Sequence, residues 1–217
     1  MAKLELILGN KNYSSWSLRP WFLMKQMGIE FEEILIPLYR PETEERLRRY
    51  SPSGKVPLFR EGERRVWESL AICEYLAEKY PRMNLWPEDP EARVLARSIS
   101  HEMHAGFADL RSECPMNVRR RPSSLPLTDR AEADIHRIQQ IWMQCRESYR
   151  KFGPFLFGYF SIADAMYAPV VFRFHNYAIR SDPVSVEYMK GILELPVIQE
   201  WIESSRQEPW TIAASEK

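Results

Sequence analysis

Near residue 81 the hydrophobic pattern of this chain changes period, and that change limits its fold more than any other feature. Before it, short apolar runs alternate with helical stretches; after it, the spacing is helical throughout. Leu4-Glu5-Leu6-Ile7-Leu8 is short and apolar and reads as a buried first strand. Gly9 to Asn12 break it, and a helix is expected to begin near Ser17 or Leu18, with Pro20 in its first turn and Gly28 as its stop. Phe31 to Pro37 reads as a second strand, so the first three elements form a βαβ unit with a parallel pair and a right-handed crossover. Residues 41–50 read as a helix with Leu47 and Tyr50 facing inward. A turn at Ser51 to Lys55 then feeds a strand ending at Phe59, and Glu61-Gly62-Glu63-Arg64 turns the chain into a return strand, Arg65 to Trp67. Glu68-Ser69 opens a helix that runs to Lys79 and is ended by Pro81.

Residues 82–90 hold two prolines and little periodicity, which marks a linker. The expected units are therefore an α/β domain over residues 1–81 and an all-helical domain over residues 91–217. In the second unit one long helix is expected from about Glu91 to Cys114 and another from about Thr128 to Lys151, separated by a proline- and arginine-rich loop, Pro115 to Leu127. Further helices are expected from Ser161, near Ser185, and over Pro196 to Gln207.

Lysine plus arginine equals aspartate plus glutamate at 30 each, so no net charge draws this chain to nucleic acid or to an anionic membrane. No stretch approaches the roughly 18 apolar residues of a membrane span, and the N-terminal run is too short and interrupted for a signal peptide. The three cysteines, Cys73, Cys114 and Cys145, are widely spaced, which suits free thiols in a reducing, cytoplasmic setting. The four histidines also lack a metal-site spacing, and no metal is expected.

Four stretches stand out in order along the chain: Ser14-Ser15-Trp16-Ser17-Leu18-Arg19, Gly54-Lys55-Val56-Pro57, Glu68-Ser69-Leu70-Ala71-Ile72 and Ser161-Ile162-Ala163-Asp164. With the βαβ-ββα order and the helical second half, they resemble the glutathione transferase superfamily over nearly the whole chain. The first stretch resembles the serine motif of zeta-class and related bacterial transferases. The resemblance implies a thioredoxin-like N-terminal domain that binds glutathione as co-substrate, a helical C-terminal domain that contributes the pocket for an electrophile, and a homodimer. It also implies that Pro57 is cis, and that the Val56 backbone pairs with the cysteinyl part of glutathione as an added strand would.

Glutathione carries two carboxylates, an ammonium and a thiol whose pKa of about 8.5 leaves little thiolate at neutral pH. A hydroxyl at a helix N-terminus can hold that thiolate by a hydrogen bond and a favourable dipole. Ser14, between the first strand and the first helix, is the candidate catalytic residue, with Ser15 and Tyr13 as alternatives and Ser17 as the helix cap. Lys55 would meet the glycyl carboxylate. Ser69, at a helix start, suits the γ-glutamyl carboxylate, and Glu68 suits the ammonium. Ser161 and Asp164 form an expected capping box, a fold signal whose loss costs about 1 kcal/mol or more.

For the electrophile, the first long helix of the second half offers Met103, His104, Phe107, Leu110 and Arg111, followed by Met116 and Asn117. Arg111, Asn117 and Arg119 are hard to bury without a partner and are candidates to meet an acidic or polar substrate. The zeta-class motif has cysteine where this chain has Trp16, which weakens the case for isomerisation of an unsaturated dicarboxylic acid such as maleylacetoacetate. Conjugation of glutathione to a small electrophile, as in detoxification, is the leading expectation. A glutathione-dependent isomerase and a non-catalytic binding or scaffolding protein are the competitors.

Overall fold

The computed structural model describes residues 3–217; the first two residues of the unit expected from residue 1 lie outside it. A four-stranded mixed sheet has the order β2-β1-β3-β4, with β1 at Leu4–Leu8, β2 at Glu32–Leu35, β3 at Leu58–Glu61 and β4 at Arg64–Trp67. β1 and β2 are parallel, as a helical crossover requires, and the other two pairs are antiparallel. Alternation along β1 sends Leu6 and Leu8 into one core with Phe59, and Ile7 into another with Ile36, Leu47 and Leu58. The first core lies under α1 (Ser15–Gln26) and α3 (Ser69–Lys79); the second lies under α2 (Thr43–Tyr50).

The second half is helical: α4 (Pro90–Ala105), α5 (Ala108–Glu113), α6 (Asp129–Tyr149), α7 (Ile162–Asn176), α8 (Pro183–Leu193) and α9 (Pro196–Arg206). α7 is buried almost throughout and packs on α1, so the apolar core runs continuously from the sheet layer into the helical region. This is the α/β unit followed by an all-α unit that the order of elements implies. Among the described residues no helix is long and apolar enough to cross a membrane.

Two elements differ from expectation. The helix expected over Glu91 to Cys114 is broken, because Gly106 leaves helical geometry and Phe107 is left-handed at φ 62°. The residues Met103, Phe107, Leu110 and Arg111 therefore do not form a single helix face. Arg111 turns back instead and donates to the carbonyls of Met103 and His104, satisfying acceptors that the end of α4 leaves open. The first helix, in turn, begins at Ser15 and not at Ser17 or Leu18, so Pro20 stands inside it and the Trp16 carbonyl loses its helical donor. The burial of this helix face, from Ser17 to Met24, outweighs that loss.

Ser161 and Asp164 do form the capping box at the start of α7. The Asp164 carboxylate accepts the amides of Ser161 and Leu156, each at 2.9 Å, and the hydroxyls of Ser161 and Tyr188, each at 3.2 Å.

Candidate functional site

A cavity of about 670 Å³ opens between the N-terminal end of α1, the Gly54–Val56 turn, the start of α2 and the helical region. Ser14, Ser15 and Trp16 line one wall, Lys55 and Val56 another, and Arg111, Met116 and Arg173 a third. The Val56–Pro57 peptide bond is cis. Lys55 is exposed, Val56 is half-buried and Pro57 is buried behind them.

Ser14 caps α1, a role expected of Ser17. Its side chain accepts the Ser17 amide at 3.3 Å and donates to the Ser17 hydroxyl at 2.8 Å. Ser17 is wholly buried one turn further on, and its oxygen accepts the Gly9 amide at 3.0 Å, tying the end of β1 to α1. Ser15 accepts a 3.4 Å bond from Arg173. The Tyr13 side chain also borders the cavity, but its hydroxyl donates to Glu216 and accepts from Arg119 at 3.1 Å.

Three candidates cluster at the start of α3, outside the lining of this cavity. Glu68 has φ 70° and ψ 126°, an uncommon conformation for a residue with a Cβ, and its carboxylate lies 3.7 Å from Nε2 of His104. Ser69 is fully buried, and its hydroxyl has no hydrogen-bond partner within the protein. His104 packs edge-on to Trp16 with ring centroids 5.2 Å apart, and its Nδ1 is likewise unpartnered. Burial, and then the nearby Arg19 charge, hold its pKa below the ordinary imidazole value, against the opposing pull of Glu68.

Two candidates for a polar substrate have protein partners instead. The Asn117 side chain accepts from Asn12 at 2.9 Å and donates to the Ser215 carbonyl at 3.4 Å. Arg119 reaches the carbonyls of Glu208 and Trp210 at 2.6 and 2.8 Å. Both hold the C-terminal segment after α9 against the loop before α1; the partners lie roughly ninety residues away or more, beyond the reach of local pattern. In the same junction the buried Glu208 carboxylate accepts the amides of Lys11 at 2.6 Å and Asn12 at 3.0 Å.

Arg19 and Arg173 were not among the sequence candidates. Arg173 interrupts the apolar run Val170 to Phe174 of a buried helix, and a charge in such a run was the available signal. Its guanidinium donates to the Cys114 carbonyl and, at 3.3 Å, to the Arg111 carbonyl. Arg19 and Arg111 stack on the Trp16 ring, with guanidinium carbons 4.3 and 4.8 Å from its centroid. Burial, together with mutual repulsion, lowers the pKa of Arg173 to about 10, and burial is the largest cause of the lowered values of Arg19 and Arg111 as well.

Residues 13–79 match the family model described as glutathione S-transferase, N-terminal domain. A probable maleylacetoacetate isomerase from Caenorhabditis elegans is 35% identical over 96 residues, 44% of either chain, so this match spans less than half of that relative. Glutathione S-transferase F14 of Arabidopsis thaliana is 24% identical over 87% of this chain and 74% of its own. Among solved structures, a glutathione transferase homolog from Burkholderia gl BGR1 with bound glutathione superposes with a TM-score of 0.72 at 21% identity, covering 96% of this chain and 100% of that one. With its mixed sheet and helical second half the chain has the fold of the solved glutathione transferases, and residues 13–79 match the N-terminal domain of the glutathione S-transferase family.

Proposed function

We propose that this protein is a glutathione transferase that adds the glutathione sulfur to a small electrophile. The observation that carries this reading is the cavity itself, which sets the hydroxyls of Ser14 and Ser15, at the N-terminus of α1, across from the Lys55–Val56 turn. An extended tripeptide would pair with the Val56 backbone, direct its glycyl carboxylate toward Lys55 and bring its sulfur to α1. Ser14 is the assigned donor to the thiolate. To serve, its hydroxyl turns from Ser17 to the sulfur, and the helix dipole adds to the stabilisation.

The start of α3 fits the γ-glutamyl end. An unpaired buried hydroxyl is costly, and that of Ser69 stands where a helix offers free amides to a carboxylate. Glu68, held at positive φ, presents an exposed carboxylate suited to an ammonium. In the reaction the thiol proton passes to solvent and the sulfur bonds to the electrophilic carbon. In a substitution that carbon releases its leaving group with the bonding pair; in an addition the π pair moves to the neighbouring carbon, which takes up a proton.

A second reading, glutathione-dependent isomerisation of an unsaturated dicarboxylic acid, draws on the similarity to the Caenorhabditis elegans isomerase. It needs the same thiolate, which adds to the double bond, permits rotation and is then eliminated. A non-catalytic binding protein of the same fold is the remaining competitor. Both enzyme readings take the protein to be a cytoplasmic homodimer, which light scattering and cell fractionation would check.

The test is binding to glutathione resin followed by turnover of 1-chloro-2,4-dinitrobenzene, with Ser14→Ala as control. Binding and turnover that both depend on Ser14 support the transferase. Binding without turnover of any electrophile supports the non-catalytic competitor, and failure to bind glutathione defeats both enzyme readings and leaves only a scaffolding role.

A further inference from the structure

Three guanidinium groups, those of Arg19, Arg111 and Arg173, gather where α1 meets the helical region. Among the described residues none of them forms a salt bridge with a carboxylate within 4.0 Å. Buried cations are normally paired, since desolvation removes the water that stabilises them. The partners here are carbonyls, the Ser15 hydroxyl and the faces of Trp16, and Nη1 of Arg19 has no partner. Arg111 and Arg173 both reach the cavity wall beside Ser15, and Arg173 is only 6% exposed. Met116 and Pro115 supply apolar surface alongside.

We propose that Arg111 and Arg173 form a subsite for a carboxylate on the second substrate, with the carbon skeleton against Met116 and Pro115. This rests on the glutathione reading, in which the two carboxylates of glutathione are taken up at Ser69 and Lys55 and the sulfur at Ser14. The arginines then remain for an anion carried by the electrophile. Arg19 lies outside the lining of the cavity; stacked on Trp16, it positions the ring against which Arg111 also lies.

A matched pair of electrophiles tests the proposal: 4-chloro-3,5-dinitrobenzoate and 4-chloro-3,5-dinitrobenzamide. With either, the thiolate bonds to the chlorine-bearing carbon and chloride leaves with the bonding pair. For each, kcat/KM is divided by the uncatalysed rate constant, so that intrinsic reactivity drops out. The acid is expected to exceed the amide by about tenfold or more, the scale of a hydrogen bond to a charged group. Arg111→Gln and Arg173→Gln are each expected to cut the acid-to-amide ratio about tenfold. Should Arg173→Gln not fold, Arg173→Lys is expected to give an intermediate ratio, because it keeps the charge and loses the fork. Glutathione affinity is measured on every variant by calorimetry.

An amide preference in the unmodified protein, or ratios that the substitutions leave unchanged, overturns the subsite. Unchanged ratios accompanied by weaker glutathione binding or a raised thiol pKa would assign the arginines to glutathione itself and overturn it too. Failure to bind glutathione or to turn over either compound defeats the underlying transferase reading, and the subsite with it.

Discussion

The Ser14 hydroxyl and the Ser17 hydroxyl lie 2.8 Å apart, and the Ser17 oxygen in turn accepts the Gly9 amide. One chain of hydrogen bonds thus runs from the cavity wall into the end of β1. The residue assigned to the thiolate is also the cap of the helix that presents it.

These two roles of Ser14 separate on substitution. Ser14→Ala is expected to lower stability by about 1 kcal/mol through loss of the cap. It should also raise the pKa of bound glutathione and reduce kcat/KM about tenfold or more, since a bond to a charged acceptor is lost. Thermal unfolding and titration of the thiolate absorbance measure the two effects independently. A loss of stability with an unchanged thiol titration would leave Ser14 as a cap alone and move the donor role to Ser15.

How far the site could be read from sequence depends on how local its causes are. The capping box of Ser161 and Asp164 spans a single helical turn, and its signature is complete within four residues. The alternation of Leu6, Ile7 and Leu8 similarly specifies which core each side chain enters. By contrast, Asn117 and Arg119 look like unpartnered polar groups only until the segment after α9 folds back over them. The break between α4 and α5 is hidden for another reason: helical spacing of apolar residues continues through it, and a left-handed phenylalanine is no propensity signal. Arg173 was legible as a charge in a buried helix, although its proximity to Ser15 came only from the packing of α7 on α1.

The C-terminal junction offers a test of coupling between tail and site. Glu208 is 7% exposed and holds two amides of the loop that leads to Ser14. Glu208→Ala leaves those amides unpaired, at a cost of roughly 2 kcal/mol. The loop should loosen, seen as faster amide hydrogen exchange at Lys11 and Asn12 and as a raised KM for glutathione. Exchange rates equal to those of the unmodified protein would show that Arg119 and Asn117 suffice to hold the loop.

Burial raises the Asp164 carboxyl to about 6 from its ordinary 3.8, against the opposing effect of its hydrogen bonds. The sign follows from proton uptake. Between those values the folded chain keeps a proton that the unfolded chain releases, so this contribution to stability falls as pH rises from about 4 to about 6 and is level above that. Asp164→Asn removes the titration. The stability difference between the unmodified protein and Asp164→Asn should therefore shift against the former across that window, measured by urea unfolding at several pH values. A difference that is flat from pH 4 to 7 would mean that the four donors around Asp164 keep its carboxylate ionised as readily as water does.

Gly106 places the last constraint on the cavity wall. A Cβ built there would lie 2.9 Å from the Glu102 carbonyl, a backbone atom that cannot swing aside. That carbonyl already accepts the Gly106 amide at 2.8 Å, so the turn cannot widen without losing the bond. Gly106→Ala is therefore expected to cost about 1–3 kcal/mol, the range of an overpacked site. The strain falls on the turn from which Arg111 reaches back to Met103 and His104, so the guanidinium should shift and its stacking on Trp16 weaken. Tryptophan fluorescence and thermal unfolding would report the two effects together. Gly106→Ala with native stability and an unaltered emission spectrum would show that α4 and α5 can part at this junction without moving Arg111.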